Sequence, residues 1–149
     1  MRKKLILIVT LLTVALVGCG SSSETSSETG EIKNGSYEIA GNTFVFNNSV
    51  PNDTTGNWRL ATTVTAGDLT EYAVEYYQTL FSDNNEVHAV INKGLNTTNK
   101  INVLTDDLLC VTVYDYVEDE EKDAKKLFGG TLLGKYQITI STGDIEQIQ

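Results

Sequence analysis

The clearest periodicity in the chain lies in residues 66–81, where Leu69, Tyr72, Ala73, Tyr76, Tyr77 and Leu80 recur at i, i+3, i+4, i+7, i+8 and i+11. That spacing lays one apolar stripe along a helix of 3.6 residues per turn. Thr65 is placed to cap its start, and Asp68 and Glu71 fall in the first turns, where the helix dipole favours negative charge. Elsewhere the pattern shifts to period two. Residues 37–46 read as two short strands about Ala40-Gly41-Asn42, and residues 58–65 as a third. Residues 86–92 place Val87, Ala89 and Ile91 on one face of a strand. Residues 101–105, 108–117, 136–140 and 145–149 are further strand-like runs, of which 108–117 is the most β-favouring. A short second helix is expected over residues 120–128, started by Glu118 or Asp119 and stopped at Gly129-Gly130.

Strands do not alternate regularly with helices, which disfavours a doubly wound parallel sheet. The expected fold class is therefore α+β, with one long amphipathic helix packed on a curved antiparallel sheet of four to six strands. A cystatin-like arrangement has this shape, and serves only as a shape analogy, because no motif points to that family. The whole chain of 149 residues has room for one such domain, placed at residues 32–149.

The residues before it are of another kind. Arg2, Lys3 and Lys4 precede an uncharged apolar run over residues 5–17, shorter than the roughly 18–20 residues a membrane-spanning helix needs. A basic start, a short apolar core and small residues after it describe a secretory signal peptide. Leu16-Val17-Gly18-Cys19, followed by Gly20 and three serines, resembles the lipobox of bacterial lipoproteins. The resemblance implies cleavage after residue 18 and a diacylglyceryl thioether on Cys19, which would hold the protein at a membrane, facing away from the cytoplasm. Two or three acyl chains, at about 0.8 kcal/mol per buried methylene, anchor a domain stably without protein insertion. Residues 20–31 are Ser, Thr, Glu and Gly with no large apolar side chain, and read as a flexible tether.

Composition narrows the chemistry. A net charge of −9 argues against nucleic acid as a partner, since phosphate binding needs a basic surface. With Cys19 lipidated, Cys110 is the one remaining thiol, set among Leu108, Leu109, Val111 and Val113, the context of a small buried hydrophobe rather than of a nucleophile. His88 is the only histidine, and the plain reading is a half-exposed strand residue. His88 and Cys110 are the weak catalytic candidates, as a base and nucleophile that would have to meet on one side of adjacent strands. No cofactor fingerprint or transition-metal spacing occurs. Asp115, Glu118 and Asp119 are weak calcium candidates, though residues 115–126 contain no glycine to turn oxygens inward. Glu118, Asp119, Glu120, Glu121 and Asp123 are expected to form an exposed acidic face available to a partner. The sequence thus favours a lipid-anchored, non-catalytic domain that binds an envelope or extracellular macromolecule. The alternative is a small surface hydrolase or transferase using His88 with Cys110 or a carboxylate.

Overall fold

The computed structural model describes residues 33–48 and 55–149, so the expected signal peptide, Cys19 and the tether lie outside the described residues. The described chain is mostly β. Its strands are β1 (Gly35–Ile39), β2 (Asn42–Asn47), β3 (Trp58–Thr63), β4 (Val87–Asn92), β5 (Thr97–Thr105), β6 (Leu108–Asp115), β7 (Leu132–Thr139) and β8 (Ile145–Gln147). All eight join one sheet in the order of the sequence. Every neighbouring pair is antiparallel except β3–β4, which is parallel. The connection between β3 and β4 carries the one α-helix among the described residues, α1 (Leu69–Leu80).

This corrects the expected architecture. The sheet is mixed and has eight strands rather than four to six antiparallel ones, and the helix has 12 residues, starting after Asp68. The physical reason is the join. A parallel pair needs a crossover, and α1 supplies it, so the hairpin strands before the helix extend the same sheet as the meander after it. Asp68 rather than Thr65 caps α1, its carboxylate accepting from the Thr70 amide at 3.0 Å and the Thr70 hydroxyl at 2.9 Å. The second helix is also absent. Residues 120–122 form a single 3₁₀ turn, and the segment to Gly130 continues in turns.

The sheet curls around α1. The helix touches β1 near one edge and β6 and β7 toward the other. In a flat sheet β1 and β7 would lie about 29 Å apart, while a helix of this length spans only about 18 Å. Strand alternation then gives an inner face against α1 and an outer face away from it. The inner face buries Phe44, Phe46, Ala61, Val90, Ile101, Leu109, Val111 and Ile138 against Leu69, Ala73, Tyr76 and Leu80 of the helix. The outer face is covered in its middle by residues 116–130, a strap that packs Leu127 and Phe128 over Leu60, Ala89, Ile91 and Trp58. Its two ends meet at the sheet, where the Asp115 amide donates to the Thr131 carbonyl and the Tyr116 amide to the Asn96 carbonyl. Gly130 permits that meeting, since a Cβ there would overlap the Asp115 carbonyl. Val87, Ala89 and Ile91 do share a face, the outer one, which puts His88 inside.

Candidate functional site

His88 is completely buried, not half-exposed as the alternating strand pattern implies, because β4 is central and both of its faces are covered. Phe81 stacks on the imidazole at 3.8 Å with the rings 12° apart, and Phe46 and Tyr76 close the other sides. The Tyr76 hydroxyl lies 3.0 Å from Nδ1, and Nε2 lies 2.8 Å from the Glu86 carboxylate. The pattern that satisfies every group has Tyr76 donating to Nδ1 and a neutral imidazole donating from Nε2 to Glu86. Glu86 also accepts from the Ser82 hydroxyl at 2.5 Å and the Ser82 amide at 3.2 Å, with Arg59 at 3.7 Å. Burial holds the His88 imidazole below its ordinary value, against a partial opposing pull from Glu86. Burial would raise Glu86, but hydrogen bonds from His88 and Ser82 outweigh it and hold the carboxyl below the usual range.

Ser82, Glu86 and His88 resemble the parts of a nucleophilic triad, but their order is wrong for one. The carboxylate stands between hydroxyl and imidazole, so the imidazole does not touch the hydroxyl. Sequence reading missed Glu86 and Tyr76 as partners of His88. The available signal was Val90, which shares His88's face and continues an apolar run that a solvent-facing side would not carry.

Cys110 is buried on the outer face, opposite Asn102, whereas His88 pairs with Ile101 on the inner face. The two are therefore on opposite sides of the sheet and cannot act on one substrate. Among the described residues, no three His, Cys, Asp or Glu side chains are grouped to hold a metal, so Asp115, Glu118 and Asp119 form no such set. The expected acidic face is divided by the strap's fold. Glu118 and Asp119 are exposed, with Asp119 paired to Lys122 at 2.5 Å. Glu121 is half-buried, bridging Lys93 at 3.0 Å and accepting from the Tyr116 hydroxyl at 2.8 Å. Asp123 is half-buried, and Glu120 is completely buried, so neither extends a continuous exposed patch.

A concave surface lies elsewhere, along the exposed flank of α1. A groove of about 550 Å³ runs between the β1–β2 turn at Ala40 and the β7–β8 turn at Gly143, where the curled sheet comes round to face itself across the helix. Glu71, Glu75 and Gln78 of α1 line it and are exposed, with Val74 and Ile138 supplying apolar wall. The fold places them here because they are the positions that the apolar stripe of α1 leaves outward. Glu75 accepts from the Ala40 amide at 3.1 Å, which ties the turn to the helix. Neither glutamate forms an ion pair with a described residue, and α1 contains no basic side chain. Nothing in the sequence marked this groove, since it depends on two turns over 100 residues apart. No helix among the described residues is long and apolar enough to cross a membrane. Comparison of the chain with protein-family models, with curated proteins and with solved structures found no match.

Proposed function

We propose that this chain is a membrane-anchored bacterial lipoprotein whose domain outside the cytoplasm is a non-catalytic binding module. It engages an envelope or extracellular macromolecule through a basic segment seated in the α1 groove. The observation that carries the groove assignment is the pair Glu71 and Glu75, one helical turn apart beside an open concavity with no described cation to neutralise them. Anchoring rests on the lipobox-like Leu16-Val17-Gly18-Cys19. The sealed His88 and the separation of His88 from Cys110 leave no accessible nucleophile–base pair among those two, which supports the binding reading over hydrolysis.

The test compares two charge-neutralising pairs. Binding of a fluorescent oligolysine peptide is measured by anisotropy for the wild-type domain, for Glu71→Gln with Glu75→Gln, and for Glu118→Gln with Asp119→Asn. Both variants remove two negative charges, so non-specific attraction falls equally in each. The groove pair should lose about tenfold more affinity than the strap pair, the scale of one to two charge-assisted contacts. Equal losses would overturn the groove. Independently, Cys19→Ser should move the full chain out of the membrane fraction; retention there would overturn lipid anchoring.

A further inference from the structure

We infer that docking of the strap, residues 116–130, on the outer face of the sheet is coupled to uptake of a proton by Glu120. Glu120 sits at the inner surface of the strap with no solvent exposure at all. One carboxyl oxygen accepts from the Thr98 hydroxyl of β5, and the other, Oε2, has no hydrogen-bond partner. A buried carboxylate with one neutral side-chain donor and an unpartnered oxygen is strongly disfavoured, whereas the protonated acid tolerates the site.

The surroundings do not compensate the charge. The charged groups facing Glu120 are Lys93, from the end of β4, and Glu121 in the strap itself. Lys93 is already committed, paired with Glu121 at 3.0 Å and lying over the Tyr116 ring at 3.7 Å. Burial raises the Glu120 carboxyl to about 7, and Glu121 adds to the rise. The amides of Val117 and Phe128 and the Lys93 ammonium act the other way and only reduce it.

The strap is built to lift without disturbing the sheet. Its ends are tied together at Asp115–Thr131, so residues 116–130 form a closed loop. Two non-glycine residues inside it, Asp119 (φ 61°) and Phe128 (φ 62°), hold left-handed backbone. Phe128 accepts that conformation to place its ring 5.4 Å from Trp58 and 5.6 Å from Tyr114. Such strain is relieved on release, which places the strap near the low end of local stability.

The sign follows from the linkage. In the released strap Glu120 meets water and titrates near its ordinary 4.5. Below that pH both states hold the proton, and docking is at full strength. As pH rises from 4.5 toward 7, the released strap gives up its proton first, and docking weakens; above about 7 the loss is complete. The shift corresponds to a docking constant lower by on the order of a hundredfold at alkaline pH.

Trp58 is the only tryptophan and lies under the strap, so it reports on docking without a label. Hydrogen exchange of strap amides, corrected for the pH dependence of chemical exchange, is followed with Trp58 emission from pH 5 to 8.5. In the wild type, exchange at residues 124–129 should accelerate on the order of a hundredfold relative to β4–β6, with emission changing over the same range. Glu120→Gln keeps the side chain's shape without its charge and should give a flat profile, docked at both ends. A flat wild-type profile, or a variant that keeps the wild-type slope, overturns the coupling. Should the variant not fold, the carbon resonance of the Glu120 carboxyl in the wild type decides. A midpoint well above 4.5 supports the coupling, and one at 4.5 or below ends it.

Discussion

The two faces of the sheet each bury one glutamate, and they treat it in opposite ways. On the inner face Glu86 accepts from His88, from the Ser82 hydroxyl and from the Ser82 amide, with Arg59 nearby, and its charge is stabilised in place. On the outer face Glu120 takes one side-chain hydrogen bond, from Thr98, its Oε2 has no hydrogen-bond partner, and the amides of Val117 and Phe128 offset its burial only in part. The inner cover is a helix, kinked at Tyr72, whose caps and apolar stripe fix it independently of that carboxyl. The outer cover is a strap of turns with two left-handed residues. Burial is the same; what differs is the number of donors, and that number decides whether a buried acid cements its surroundings or loosens them.

The contrast can be broken most forcefully through packing. Phe44, completely buried between Tyr72 and Tyr76, should cost about 3–5 kcal/mol when changed to alanine, whereas Leu127→Ala on the underside of the strap should cost near 2 kcal/mol, the low end for leucine, because a strap can settle into the space. Urea denaturation followed by circular dichroism checks the pair; equal costs would mean that the strap is as firmly built as the helix-covered core.

A smaller effect is expected at Glu86. Glu86→Ala leaves the buried Nε2 of His88 and the Ser82 donors without their acceptor, a loss of about 1–3 kcal/mol at neutral pH. Its pH dependence sharpens the comparison. The Glu86 carboxyl is held below 4.5 in the fold, so its contribution is present above 4.5 and lost as pH falls through the lower folded value. His88 lies below 6.5, so the unfolded chain takes up that proton first as pH falls under 6.5, which also weakens the fold. Acid therefore loosens the inner face, and alkali the outer one. Thermal denaturation of the wild type across pH 3–8 should show the acid limb, and Glu86→Ala should shrink the part of it below 4.5, to which Glu121 also contributes, while keeping the part that begins near 6.5.

The smallest change is expected on the strap's solvent side. Lys122→Gln breaks the exposed pair with Asp119 and should leave the melting temperature unchanged, because water and salt screen that pair. A measurable drop would show that the strap depends on its surface charges as well as on what lies beneath it.

How much of this could be read in advance depended on range. Strand positions were legible where alternation is local, as in Asn42–Asn47, whereas β5 and β7 start at Thr97 and Leu132, four residues before the runs expected to be strands. The pairing of Trp58–Thr63 with Val87–Asn92 was not legible, since nothing in either run states that its neighbour is parallel and a helix away. The single helix was legible from Leu69, Ala73, Tyr76 and Leu80, while its true start depended on Asp68 winning over Thr65 as the cap. Residues 120–128 misled because acids followed by lysines imitate a helix start and finish, yet only Leu127 among them is a fully buried apolar side chain. A helix with so little to bury has no reason to persist. The catalytic candidates failed for a related reason: His88 and Cys110 differ by one strand step in register, and one step exchanges the faces of a sheet.

The parallel seam has a consequence in time as well as in space. The antiparallel neighbours β1–β2, β4–β5, β5–β6 and β7–β8 are joined by two to five residues each and can zip from local contacts, while β6–β7 closes across the strap. Between β3 and β4 the chain must instead close a loop that contains α1 before Ala61 can sit beside Val90. That closure spans more residues than any other between neighbouring strands, and the helix that shortens the loop is also the surface onto which both halves collapse.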